Sequence, residues 1–262
     1  MGFGERIAIK SRREIELMRE IGHFTAEILL ELRDRAQAGV TTGQLDEIAA
    51  KALEKRGLNS PFLGYAPEGV APYPAVLCAS VNEEIVHGIP GPRELREGDI
   101  ISLDFGVETR GWHGDSAVTI AIGEVGSEAK QLMDTTRDAL DKGIERMVPG
   151  DRLSDIGHAV QGCAEKEGFG VVRQFVGHGI GREMHEPPQV PNYGRPGRGP
   201  RLRAGMVFAI EPMVNIGSEK VRVLKDEWTA VTADGSLSAH FEHTVLITDN
   251  GPEVLTRIKG SH

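Results

Sequence analysis

Residues 95–104 read LREGDIISLD and residues 202–211 read LRAGMVFAIE. The two segments align without a gap at an offset of 107 residues, and each apolar run ends in a carboxylate, Asp104 or Glu211. Further upstream, Gly39, Leu45, Glu54, Lys55 and Gly57 lie over Gly150, Ile156, Glu165, Lys166 and Gly168 at an offset of 111. An HGI tripeptide precedes each LR-x-G segment, at His87 and at His178, in what read as matching places. Two copies are too few for a solenoid, which stacks many short repeats. The spacing predicts a single domain of two related α/β halves, about 10–122 and 123–250, packed about a pseudo-twofold axis.

Local patterns fill in each half. Ser11 and Glu14 have the spacing of a capping box, and Ile15, Met18, Ile21, Ile28, Leu29 and Leu32 recur at helical intervals, so 12–37 reads as an amphipathic helix. A second helix runs from Thr42 to a stop at Gly57. Two more are expected at 127–146, capped by Ser127, and at about 153–167. Between and after them come β-type runs: AVLCASV, DIISLDFGV, AVTIAIG, GVVRQFV, MVFAIE, VRVL, WTAVT and FEHTVLIT. The Pro/Gly/Arg-rich stretch 186–204 reads as a surface loop.

The composition is that of an ordinary soluble protein, with 39% hydrophobic and 26% charged residues among 262. A net charge of −9 leaves no electrostatic footprint for DNA. No apolar run approaches the ~20 residues that cross a bilayer, and the start lacks a signal-peptide core. The two cysteines, Cys78 and Cys163, are expected as reduced thiols in a cytoplasmic protein. The ending GSH at 260–262 reads as a cloning remnant.

In the aligned halves a second carboxylate sits on a neighbouring strand: Asp115 in WHGDSAVTI and Glu242 in AHFEHTVLI. Singly, each of the four has a bland reading, since Asp104 can cap a strand, Asp115 follows Gly114, and Glu211 precedes Pro212. Four carboxylates at matched positions in apolar strands repel one another unless cations join them. Two divalent ions would balance the charge, and oxygen ligands with one imidazole suit Mn, Fe, Co or Zn. His178 is the natural imidazole, with Gly177 and Gly179 allowing close backbone approach.

VNEEIVHGIP, LDFGV, GWHGDSAVTI, GHGIGREMHEPPQVPNY, AIEPMVN and FEHTVLIT together resemble the type I methionine aminopeptidases, of the pita-bread (creatinase-like) metallopeptidases. The resemblance runs from the first helix to LTRIK. It implies an α+β fold of mainly antiparallel strands backed by helices, and hydrolytic removal of an N-terminal methionine before a small second residue. It makes Asp104, Asp115, His178, Glu211 and Glu242 the ligands of two metal ions (Co, Mn or Fe(II), with Zn as an alternative). Asp115 and Glu242 would bridge the two. Glu211 would relay a proton, His185 would contact the scissile carbonyl, and His87 would assist near the substrate amide. Tyr65, Cys78 and Trp228 match a methionine pocket, with Phe62 expected nearby. Met184 stands where the family commonly has Phe, and segment 66–72 is longer than usual, which loosens the expected specificity and leaves Tyr73 unassigned. His243 is expected to face away from Glu242 by strand alternation, and His240 shares that face.

The partner implied is a peptide or nascent-chain N-terminus, acted on by a monomer. Arg195, Arg198, Arg201 and Arg203 are the candidates for transient contact with the ribosome. One rival is a proline-directed peptidase of the same fold, which usually carries an additional N-terminal domain. Others are a non-catalytic binding protein and a site that only stabilises structure.

Overall fold

A computed structural model describes residues 7–257; the 260–262 ending lies outside the described residues. The chain begins with two helices, α1 (Arg12–Arg35) and α2 (Thr42–Arg56), followed by β1 (Cys78–Val81), β2 (Glu84–Val86), β3 (Ile100–Thr109) and β4 (Trp112–Ala121). Helices α3 (Ser127–Glu145) and α4 (Leu153–Lys166) come next. The remainder is strand-rich: β5 (Gly170–Val171), β6 (Gly177–Gly179), β7 (Glu186–Val190), β8 (Val207–Ile210), β9 (Met213–Asn215), β10 (Val221–Val223), β11 (Ala230–Thr232), β12 (Ser238–His240), β13 (Glu242–Thr248) and β14 (Gly251–Val254).

Helix α1 starts where its capping box places it: Ser11 Oγ accepts the Glu14 N–H, and the Glu14 carboxylate accepts the Ser11 N–H. Gly57 ends α2 at a left-handed φ of 63°. The start of α3 differs from expectation, because Gly126 occupies the cap and Ser127 already lies inside the helix. The stretch 186–204 is not wholly a loop either. It opens with β7, at the edge of the main sheet, where Pro187 and Pro188 need not donate to a further strand.

The main sheet has eight strands in the order β1-β3-β4-β13-β8-β6-β7, with β14 also on β13. Its pairings are antiparallel. Reading outward from the β4–β13 contact, β3 then β1 lie on one side and β8 then β6 on the other. Strand β6, with His178, therefore answers to β1. His87 instead follows β2, in a separate sheet of order β10-β11-β2. The two HGI words are not symmetry mates: strand pairing sets equivalence, and a shared tripeptide does not.

Strand alternation turns Leu103, Phe105 and Val107 to the rear, where they pack with Ile21, Ile28 and Leu32 of α1. Phe208 and Ile210 of β8 pack likewise with Leu140 and Ile144 of α3 and Ile156 of α4. The four helices thus cover one face of a curled sheet and leave the other to a cleft. Among the described residues, no helix is long and apolar enough to cross a membrane. Phe105 is fully buried, so Phe105→Ala should cost about 3–5 kcal/mol in urea unfolding of the metal-stripped protein. Val223→Ala, at a site 49% exposed, should stay within about 0.5 kcal/mol.

A candidate metal centre in the sheet cleft

The register of the main sheet gathers the site. Asp104 on β3 pairs with Ala117 on β4, so Asp115, two residues along, faces the same side. Ala117 also pairs with Glu242 of β13, and Asp104 with Cys78 of β1. On the far side His178 pairs with Ala209, and Glu211 lies two residues beyond Ala209. All six of these non-alanine side chains line one cavity of about 570 Å³. The glycines beside His178 are required by close approach: a Cβ on Gly177 would lie 2.4 Å from Ala209 O, and one on Gly179 2.4 Å from Pro187 O.

His178 Nε2 lies 3.5 Å from Glu211 Oε1 and 3.9 Å from Asp115 Oδ2. Its Nδ1 lies 2.8 Å from Gly179 O. With the proton placed on Nδ1 to donate there, Nε2 keeps a lone pair aimed at the carboxylates. Asp115, His178 and Glu242 bring ligand atoms within 4.8 Å of one another. Asp104 Oδ1, Asp115 Oδ1 and Glu242 Oε1 are buried with no hydrogen-bond partner, which is costly for such groups. Burial, with the neighbouring carboxylates, pushes Asp104, Glu211 and Glu242 well above the usual carboxylate range, and burial raises Asp115 to about 7. Burial lowers His178 to about 3. Partnerless oxygens and an imidazole that resists protonation fit a divalent cation.

His240, only a secondary candidate in the sequence, is part of this cluster. Its Nε2 lies 3.9 Å from both Glu211 Oε2 and Glu242 Oε2, and neither ring nitrogen has a hydrogen-bond partner. Its signal was the spacing of two from Glu242. His243 points to the rear as alternation requires, with Nδ1 2.9 Å from Thr256 Oγ1.

The remaining candidates form the cavity's other walls. The His185 ring stands 4.5 Å from that of His178 and 5.4 Å from that of Tyr65, centroid to centroid. His87 holds a positive φ of 61°, a strained conformation of the kind that clusters at functional sites. Its ring meets Phe175 edge-on at 5.3 Å, and burial lowers its pKa to about 4. Phe62, Tyr65, Cys78, Met184 and Trp228 all line the cavity. So does Tyr73, whose hydroxyl lies 3.0 Å from Gly88 O and whose ring meets Trp228 edge-on at 5.1 Å. Trp228 Nε1–H donates to Ala71 O at 2.8 Å, tying segment 66–72 to this wall. Phe175 was missed, because nothing local separates it from a core phenylalanine. The arginines at 195, 198, 201 and 203 do not line the cavity.

The shifts define a pH dependence for the metal-stripped protein. Above about pH 7.5 an ordinary unfolded-state histidine is largely neutral, as are the buried His87, His178, His240 and His243, so the carboxylates dominate. Their folded pKa values are raised, Asp115 to about 7 and Asp104, Glu211 and Glu242 well above the usual carboxylate range, so the folded state holds more protons and stability falls as pH rises. The melting temperature of the stripped protein should decline from about pH 7.5 upward, and added Mn should remove the decline. A flat profile without metal would contradict this electrostatic account.

Residues 16–249 match the family described as metallopeptidase family M24. A methionine aminopeptidase of Clostridium perfringens is 51% identical over 253 residues, covering 97% of this chain and 100% of that protein. The crystal structure of methionine aminopeptidase from Thermotoga maritima superposes with a TM-score of 0.93 at 46% identity, covering 97% of this chain and 100% of that one. The prolidase from Pyrococcus furiosus shares the fold, with a TM-score of 0.76 at 20% identity, and this chain spans 66% of it. A match over nearly the whole chain, joined to a carboxylate–histidine cluster able to hold a metal, assigns this protein to metallopeptidase family M24, among the methionine aminopeptidases.

Proposed function

We propose that this protein removes the N-terminal methionine from peptides and nascent chains whose second residue is small. The observation that carries this reading is the shared cavity: carboxylates with partnerless oxygens and His178 on its floor, His87 and His185 on its walls, and an aromatic and sulfur-lined recess beside them. Asp104, Asp115, His178, Glu211 and Glu242 would hold two divalent ions, Co, Mn or Fe(II) with Zn as the alternative. Such ions, when bound, supply Lewis acidity and an activated water.

Glu211 accepts a proton from the attacking water and passes it to the leaving amine. His185, whose pKa is lowered by partial desolvation in the cleft, donates an N–H to the developing oxyanion. His87 lies across the cavity near the substrate amide and assists proton transfer. Phe62, Tyr65, Cys78, Met184 and Trp228 receive the thioether, which packs well against aromatic edges and sulfur. The whole chain acts as one catalytic domain of two related halves, about 10–122 and 123–250. It works as a cytoplasmic monomer, and Arg195, Arg198, Arg201 and Arg203 offer a surface for transient contact with the ribosome. The prolidases share the fold, but the match in length and identity favours the methionine enzymes over that reading.

Metal-stripped protein should regain activity with Mn, Co or Fe(II), releasing Met from Met-Ala-Ser and leaving Met-Lys-Ser and Ala-Pro-Ser intact. Glu211→Gln should lower kcat by at least ~10²-fold, the scale of general acid–base catalysis. Cleavage of Ala-Pro-Ser instead would move the protein to the proline-directed branch, and no cleavage with any metal would favour a binding protein. Met184 is nearly buried against the pocket. Replacing it with Phe should stiffen that wall and lower kcat/KM for Leu-Ala-Ser more than for Met-Ala-Ser; an unchanged ratio would remove Met184 from the specificity determinants.

A further inference from the structure

The turn that carries His185 is held from outside by a residue that the reaction as described does not use. Lys10, just before α1, is only 6% exposed, and its Nζ lies 2.5 Å from Oε2 of Glu186, the residue after His185. The other Glu186 oxygen accepts the Arg182 N–H at 2.6 Å and the Glu183 N–H at 3.4 Å. One carboxylate therefore closes the 182–186 turn while Lys10 neutralises it. The lysine stem crosses Gly181 so closely that a Cβ there would lie 2.6 Å from Lys10 Cε and 2.7 Å from Glu186 Oε1. Lys10 is anchored in turn, its N–H donating to Gly205 O at 2.8 Å, at the entry to the strand that leads to Glu211.

Other tethers hold the start of the turn. The His113 N–H donates to Gly181 O at 2.9 Å, and the Arg182 guanidinium lies over Trp112 at 4.5 Å. The His185 ring itself has no hydrogen bond among the described residues, so the turn sets its place. Removing Lys10 would leave a half-buried carboxylate without its cation. Glu186 lines the cavity, so the nearest relief is to swing toward the open cleft and take the adjoining His185 with it.

We propose that Lys10 is a positioning residue: its part-buried ion pair with Glu186 sets the turn over the metal centre and aims the His185 ring at the substrate. The inference rests on the role given to His185 above. The test compares Lys10→Met, His185→Ala and the double variant, each as metal-loaded full-length protein, on Met-Ala-Ser. Bound metal and melting temperature are measured alongside. Lys10→Met should lower kcat by roughly 10–100-fold, as small misplacements of catalytic groups do, with metal content kept and KM little changed. In the His185→Ala background the same substitution should cost no further kcat, because it acts through that ring. An equal loss in both backgrounds, or a kcat within about 2-fold of the parent, would overturn the proposal. Full activity of His185→Ala alone would instead overturn the role of His185. Should Lys10→Met fail to fold, Glu186→Gln breaks the same pair from the other side and is read by the same comparison.

Discussion

Several carboxylates, buried on one face of a sheet, repel one another and lack water to compensate them. This is the constraint on which the rest of the structure depends. Asp104, Asp115, Glu211 and Glu242 are each pushed upward by burial, and three of them keep an oxygen with no hydrogen-bond partner. Left alone, such a cluster would take up protons or open to water. What keeps it in place is the rigidity of the strands that bear it, together with the chemistry of the cation it suits. Burial acts oppositely on the histidines, keeping His178 and His240 neutral and able to offer lone pairs.

That rigidity comes from the other face. The same alternation that presents Asp104 to the cleft sends Leu103 and Phe105 into the apolar layer beneath α1, and Ile210 beside Glu211 goes beneath α3 and α4. Slipping a strand by one residue would bury a carboxylate under the helices and expose a core side chain to the cleft. Register, core and site are therefore a single requirement. The helices contribute no cluster carboxylate or imidazole; they fix the strands that do.

The cleft walls follow a different logic. His87, His185, Trp228 and the 66–72 segment lie on turns and loop ends, outside the strand ladders. Trp228 is tied through its indole N–H to Ala71, and its own turn is closed by Asp226, which accepts the N–H groups of Trp228 and Thr229. Glu186, through Lys10, does the same for the turn bearing His185. A floor of carboxylates on strands with cavity walls on braced turns divides precision from adaptability.

Much was legible in the sequence because it is written in short-range patterns. The repeated LR-x-G runs, each ending in a carboxylate, the capping box at Ser11 and the helical stop at Gly57 depend on neighbours a few residues away. Alternation along β13 likewise assigned His243 to the rear, whereas His240, expected on the same strand, ends β12 of another sheet and still reaches the cluster. Equivalence of the HGI words was not legible, because His178 belongs to a strand answering to β1 while His87 follows a strand of another sheet. Nor were Tyr73 and Phe175 as cavity walls, or Lys10 as the partner of a residue 176 positions away. The sequence by itself singled out the matched carboxylates and His178 as candidates for the chemistry and the face of each strand that the carboxylates occupy, because both follow from residue type and local period. Only the tertiary structure decided which of those faces meet across the cleft and what braces the turns around it, because those contacts join segments whose separation along the chain encodes no distance in space.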